Sequence, residues 1–304
     1  MTLPGWLQPL LGQLRELRDR ERLPHALLLL GDGPLKELAH RFANDLLCLN
    51  GPIACGECNS CCWVDAGTHP DLKVVEPAAD SKSGQITVDQ VRQLAAGAGL
   101  TGGGNRIYIV HPANAMNLSA ANALLKTLEE PPPGSVFLLC CRDRGRLPAT
   151  IFSRCQVYPA PSGSHEEVAR WLADAFPDRE EAEVRGALQL ASGEASAAFE
   201  LLAGEHDFSA GDLAEDLKRL ETGRLGVTEL AKRWTQDGLG GLRLAALSRQ
   251  LHQRARKAPA TDLTTLYALY DATCHTRRVL ATSARPELQM EALLLNWREK
   301  YGEN

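Results

Sequence analysis

Apolar positions change their rhythm about halfway along the chain. In the first half they gather in short β-rich runs bounded by turn-forming residues: Ala26–Leu30, Leu72–Glu76, Arg106–His111 and Ser135–Cys141. These runs predict strands. Helical patterns alternate with them, which predicts an α/β domain with a parallel sheet covered by helices. Between the last two runs lies "NLSAANALLKTLEEPPP" (117–133), a helix with an Asn/Ser start and a triple-proline stop. After "VYPAPSGS" no further strand is expected. Ser164 and Glu167 form a capping box that opens "HEEVARWLADAF", with Trp171, Leu172 and Phe176 as core positions. "REEAEVRGALQLA" and "EASAAFELLAG" follow as two more short helices, so that 161–204 make a small helical module. From 205 to 304 the apolar spacing lengthens into amphipathic helices, notably "GLRLAALSRQLHQRARKA", "TDLTTLYALYDATCHTRRVLATSA" and "RPELQMEALLLNWREKY". The expected plan is an α/β domain over 1–160, a small helical domain over 161–204 and a larger helical domain over 205–304.

Composition narrows the function. A chain of 304 residues with 44% hydrophobic content can bury real cores in two or three domains. The formal net charge of −5 and pI near 5.9 give no basic footprint for a nucleic-acid binder acting alone. The longest apolar run, Ala26–Leu30, is far too short for a bilayer, so no membrane association is expected. The opening "MTLPGWLQPLLGQLREL" lacks a basic stretch followed by an apolar one, and the expected location is the cytoplasm. Thiols stay reduced there. That bears on the nine cysteines, five of which fall between residues 48 and 62.

Cys48, Cys55, Cys58 and Cys61 are spaced C-x6-C-x2-C-x2-C. Four thiolates close a tetrahedral zinc site, and the short spacers let neighbouring sulfurs face one ion. With no vacant ligand position such a zinc would be structural, in a module of about residues 48–65. Buried reduced thiols and an iron–sulfur cluster are the competing readings. Cys62 is a spare neighbour, and His69 a rival ligand.

The stretch "LLLLGDGPLKELAHRFANDLLC" (27–48) begins as a nucleotide site would, with an apolar strand, a glycine turn and a lysine before a helix. A phosphate-binding loop needs G-x-x-x-x-G-K-[ST], so that backbone N–H groups, the lysine and a hydroxyl meet phosphates and magnesium. Here Gly31, Gly33 and Lys36 form only a degenerate version.

Three further stretches, "ITVDQVRQL" (86–94), "NALLKTLEEPPPGSVFLL" (122–139) and "LPATIFSRCQVY" (147–158), together with the cysteine cluster, resemble the delta-prime family of bacterial DNA polymerase III clamp-loader subunits. The likeness is specific over 25–160 and architectural beyond about 205. It implies an AAA+ domain, a helical lid and a helical collar that joins gamma/tau and delta subunits in a hetero-pentamer. That complex places the sliding clamp on primed DNA within a polymerase holoenzyme, itself a nucleotidyltransferase.

The resemblance also implies that this chain binds no ATP. Counting back from Cys48, the family's lysine falls near Leu35 and its hydroxyl near Lys36, in a turn about two residues short. His111 and Pro112 stand near the place of the magnesium-binding acidic pair. After "LASGE", Glu194 and Ala195 stand where active members carry an arginine. Ser153-Arg154-Cys155 does match the family's interface motif, whose arginine reaches the ATP of the neighbouring gamma or tau subunit. Guanidinium suits that task, being planar and always charged. Arg142, Arg144 and Arg146 read as a solvated basic loop. Lys126, Glu129 and Glu130 read as helix-end charges paired along their own helix. Two alternatives are an active gamma/tau-like ATPase, which needs the missing motifs, and a stand-alone zinc-containing DNA-binding protein, which the acidic balance disfavours.

Overall fold

The computed structural model describes residues 2–78, 84–96, 105–143, 147–204, 210–236, 239–280 and 285–302. Five parallel strands form one sheet: β1 (Ala26–Leu30), β2 (Leu72–Val75), β3 (Arg106–Val110), β4 (Ser135–Cys141) and β5 (Gln156–Pro159), in the order β2-β3-β4-β1-β5. Leu28 of β1 lies between Leu139 and Val157 of its two neighbours.

Strands β1, β3 and β4 are buried on both faces, as unbroken apolar runs require, whereas β2, at the sheet edge, exposes Lys73 and Val74. One face presents Ala26, Leu28, Tyr108, Val110, Phe137 and Leu139 to helices α4 (Val88–Ala96) and α5 (Leu118–Glu129). Tyr108 and Phe137 stack there with centroids 4.6 Å apart. Leu27, Leu29, Ile107, Ile109 and Leu138 alternate with that set and are buried too. On β3 and β4 packs α2 (Leu35–Leu47), whose Leu38 and Phe42 are fully enclosed. Each leucine so enclosed stabilises the domain by about 1.5–3 kcal/mol relative to an exposed one.

Local chemistry marks the helix ends. The Asn117 side chain accepts the Ala120 N–H at 2.8 Å and opens α5, and the prolines after Glu130 end it. Thr87 and Gln90 close a reciprocal cap on α4: Thr87 N donates to Gln90 Oε1 at 2.9 Å, and Gln90 N to Thr87 Oγ1 at 3.5 Å.

The sequence pattern missed β5. Only Tyr158 of this strand is buried, while Gln156 and Pro159 are exposed. An edge strand with one inward residue leaves no apolar run, and a terminal proline is tolerated because it costs no central ladder bond.

Contacts divide the chain into two compact units, residues 1–167 and 168–304. The Ser164–Glu167 capping box forms as expected, with Ser164 N donating to Glu167 Oε2 at 2.8 Å, and opens α7 (His165–Ala175). Among its described residues the second unit holds helices and their connections, with no strand. Besides most of α7 it holds α8 (Glu181–Leu190), α9 (Ala195–Ala203), α10 (Ala210–Glu221), α11 (Val227–Gln236), α12 (Gly240–Lys257), α13 (Ala260–Leu280) and α14 (Pro286–Tyr301). Trp171 and Phe176 meet Phe199 at 5.5 and 4.9 Å, and Leu172 is fully buried. Helix α12 lies along α13 and also meets α8, where Arg249 Nη1 donates to the Gln189 carbonyl. Asp216, itself buried, accepts the Trp234 indole N–H at 2.8 Å and pairs with Arg233. None of the described helices is long and apolar enough to cross a membrane.

Candidate functional site

The turn after β1 is drawn tightly against the sheet. Gly31 N donates to the Cys141 carbonyl at 3.0 Å, and Ala160 N to the Leu30 carbonyl at 2.8 Å. Gly31 has φ +154°, and a Cβ on it would lie 2.9 Å from both Cβ and O of Ala160, so only glycine fits. The helix α2 starts after Pro34, which has no N–H to offer. Glu37 sits in its first turn, a negative charge at the end where a phosphate would need positive potential. Lys36 Nζ is paired with Glu76 Oε2 at 2.7 Å, and Gln90 Nε2 holds the Glu76 carbonyl at 2.7 Å. His111 lies close to this group. Burial pushes its pKa below the usual imidazole value, against the pull of Glu76 and Glu37, and its buried Nδ1 finds no hydrogen-bond partner among the described residues.

The cysteine cluster forms between α2 and α3 (Asn59–Asp65). Cys48 follows the last residue of α2, and Cys58 caps α3. The four sulfurs of Cys48, Cys55, Cys58 and Cys61 all lie within 4.8 Å of one another, and Cys55 and Cys61 are 3.9 Å apart. Sulfurs around one tetrahedral zinc sit about 3.8 Å apart, from Zn–S bonds near 2.3 Å. Backbone donors support them: Cys58 N reaches Cys55 Sγ at 3.3 Å and Cys61 N reaches Cys58 Sγ at 3.4 Å. The Cys61 N–H first, and the Leu49 N–H second, bring the Cys58 thiol down to about 6. Burial pushes Cys61 up to about 12, so its thiolate would need a cation beside it. The donor set and spacing fit a metal ion.

The module is fastened to the domain independently of the sulfurs. Buried Asp45 accepts Nε of Arg15, on α1 (Gln8–Asp19), at 2.7 Å and Ala54 N at 2.8 Å. Ser60 Oγ donates to the Leu47 carbonyl at 2.6 Å and accepts from His69 Nε2 at 3.0 Å. His69 Nδ1 in turn accepts the Asp71 N–H at 3.0 Å. Both nitrogens of His69 are thus engaged, which removes it as a rival ligand. Cys62 is exposed, its Sγ 3.8 Å from the Glu57 carbonyl. Cys140, Cys141 and Cys155 are buried and Cys274 half-buried, all as free thiols.

The Ser153-Arg154-Cys155 motif follows the short helix α6 (Ala149–Phe152). Cys155 is buried in the sheet core, and that burial raises its thiol pKa to about 12. Arg154 is 32% exposed. Its Nε donates to Glu129 Oε1 at 2.7 Å and its Nη2 reaches the same oxygen. Its Nη1 donates to the Thr150 carbonyl and to Ser153 Oγ, both at 3.1 Å. Glu129 therefore reaches across to Arg154, where the sequence pattern had suggested a partner on its own helix. Arg144 and Arg146 of the proposed basic loop lie outside the described residues. In the second unit Glu194 is the residue preceding α9.

The profile of a family described as "DNA polymerase III, delta subunit" matches residues 7–162. The DNA polymerase III subunit delta' of Pseudomonas aeruginosa is 37% identical over 235 residues, spanning 75% of this chain and 70% of its own length. That of Haemophilus influenzae is 36% identical over 56% of this chain and 53% of its own length. A DNA polymerase III gamma-subunit-related structure from Thermotoga maritima covers 96% of this chain and 99% of its own, at 18% identity. Its TM-score of 0.40 is too low to bear on the fold. From the length of the profile match and the identity to the Pseudomonas relative, the chain belongs to the family of DNA polymerase III delta-prime subunits.

Proposed function

We propose that this chain is the non-hydrolysing member of a clamp loader. It joins gamma/tau and delta subunits in a hetero-pentamer that loads the sliding clamp onto primed DNA, and it supplies Arg154 to the ATP bound by its gamma or tau neighbour. One contrast carries this reading. The chain's own phosphate turn is compromised, with Lys36 committed to Glu76 and Glu37 at the helix start, while Arg154 stands partly exposed on a motif anchored by Cys155. A phosphate cradle with neither a free lysine nor a hydroxyl loses most of its electrostatic stabilisation. The sheet is the nucleotide-binding half of an AAA+ domain, 161–204 the lid and 205–304 the collar. The metal held by Cys48, Cys55, Cys58 and Cys61 is zinc, with a structural role.

Reconstitution with gamma/tau and delta tests this. The chain alone should hydrolyse no ATP. Arg154→Ala should assemble normally yet slow the clamp-stimulated ATPase. A finger supplied in trans is worth on the order of 10³–10⁵ at its own site, and far less for the whole complex, since other subunits serve the other sites. Arg154→Lys should restore little, because ammonium lacks the planar fork. Wild-type rates in an assembled Arg154→Ala complex would remove the arginine from the mechanism.

A further inference from the structure

Glu129 occupies the last position of α5, where the helix end already carries partial negative charge and a carboxylate is out of place. Its partner explains the placement. Arg154 spends four of its five N–H groups inside this chain: Nε and one Nη2 hydrogen on Glu129 Oε1, and both Nη1 hydrogens on Thr150 and Ser153. A guanidinium so occupied cannot present a two-donor fork to a phosphate. The pair is also poised to open. Glu129 is 49% exposed, a single carboxylate oxygen takes both donors, and solvent screens the attraction. A phosphate, with more charge and three oxygens, competes well against that one oxygen.

We propose that Glu129 is the resting partner of Arg154: it holds the guanidinium within the chain until a phosphate on the neighbouring subunit takes its place. This rests on the reading of Arg154 as a finger acting on a neighbour's ATP. In the exchange, Nε and Nη2 leave Glu129 while Nη1 stays on Thr150 and Ser153, so the side chain pivots about an anchored nitrogen. Glu129 is a positioning residue and touches no nucleotide. Its consequence is restraint of idle turnover, when neither clamp nor DNA has pressed the subunits together.

Glu129→Gln tests this, since it keeps size and one acceptor oxygen but removes the charge. In the free full-length chain, hydrogen exchange at Arg154 Nε should quicken by up to about five-fold, the ceiling for a pair this exposed. In the complex with gamma/tau and delta, ATP hydrolysis without clamp or DNA should rise by up to about the same factor. The stimulated rate should stay unchanged. The rise should vanish when Arg154→Ala is added. Unaltered exchange and unaltered idle hydrolysis in Glu129→Gln would overturn the proposal while leaving the finger standing, provided Arg154→Ala is still slow. A fall in hydrolysis matching that of Arg154→Ala would also overturn it, because Glu129 would then be helping the finger act. If Arg154→Ala itself hydrolyses normally, the finger reading has failed, and the holding role falls with it.

Discussion

A proton on His111 would have to sit in a buried place, where burial disfavours charge more than Glu76 and Glu37 favour it. His40 is depressed in the same direction, by burial first and by Lys36 second. The folded chain therefore takes up protons on both rings less readily than an unfolded chain, which does so near pH 6.5. Stability from these two residues is complete above that pH and is lost as the pH falls below it toward their lower folded values. The urea midpoint of the full chain should drop between pH 7 and pH 5.5. His111→Gln should flatten that drop, and an equal drop in the variant would exonerate the ring. Removing this histidine also separates its contribution from any acid loss of metal at the cysteines.

The cysteine module is an element with two kinds of fastening. Asp45, Ser60 and His69 tie its ends to the domain through hydrogen bonds, whereas its interior has few buried apolar residues beyond Cys61 and Val64. Metal affinity is therefore coupled to local order more than to the sheet. Protein purified without added zinc should carry about one zinc per chain, as the four-thiolate set implies. Cys58→Ser should lose it, with faster amide exchange over residues 48–65 and little change in the strands. Metal-free wild type with four freely titrating native thiols would contradict this. The clustering of Cys48, Cys55, Cys58 and Cys61 was legible in the sequence because they lie within fourteen positions and their spacing is itself the signal. Strands β1, β3 and β4 were legible for a similar reason: burial on both faces writes a continuous apolar run, whereas the edge strand β2, with Lys73 and Val74 exposed, was marked only by its β-branched valines. What escaped was non-local or one-sided. Strand β5 takes its register from β1, with Gln156 opposite Leu27, and buries only Tyr158. The Arg154–Glu129 pair joins two charged residues 25 positions apart, and no periodicity links them. The Thr87–Gln90 cap is the local exception, since its T-x-x-Q pattern stands in the sequence at residues 87–90.

Across the whole molecule, the division at residues 167 and 168 separates the sheet from the helical remainder. Helix α12 meets α8, so the remainder coheres as one body and a cut inside it would expose packed surface. A chain truncated after Gly163 should fold, bind metal and fail to co-elute with gamma/tau and delta, as size-exclusion chromatography would reveal. Co-elution equal to the full chain would shift the assembly role to the sheet domain. The free cysteines, sorted by where the fold puts them, make a ready chemical ruler. Cys140, Cys141 and Cys155 are shielded and hold their protons tightly, since burial raises all three. A metal-loaded cluster would mask four more thiols from alkylation, leaving Cys62 and Cys274. Native alkylation should count two thiols per chain, six after chelation and nine after unfolding, which is every cysteine in the sequence. Because Cys62 directly follows a cluster cysteine and faces solvent, a dye attached there needs no engineered cysteine, only Cys274→Ser to silence its competitor. The molecule thus carries its own labelling handle, placed to report release of the metal as a change in the dye's surroundings.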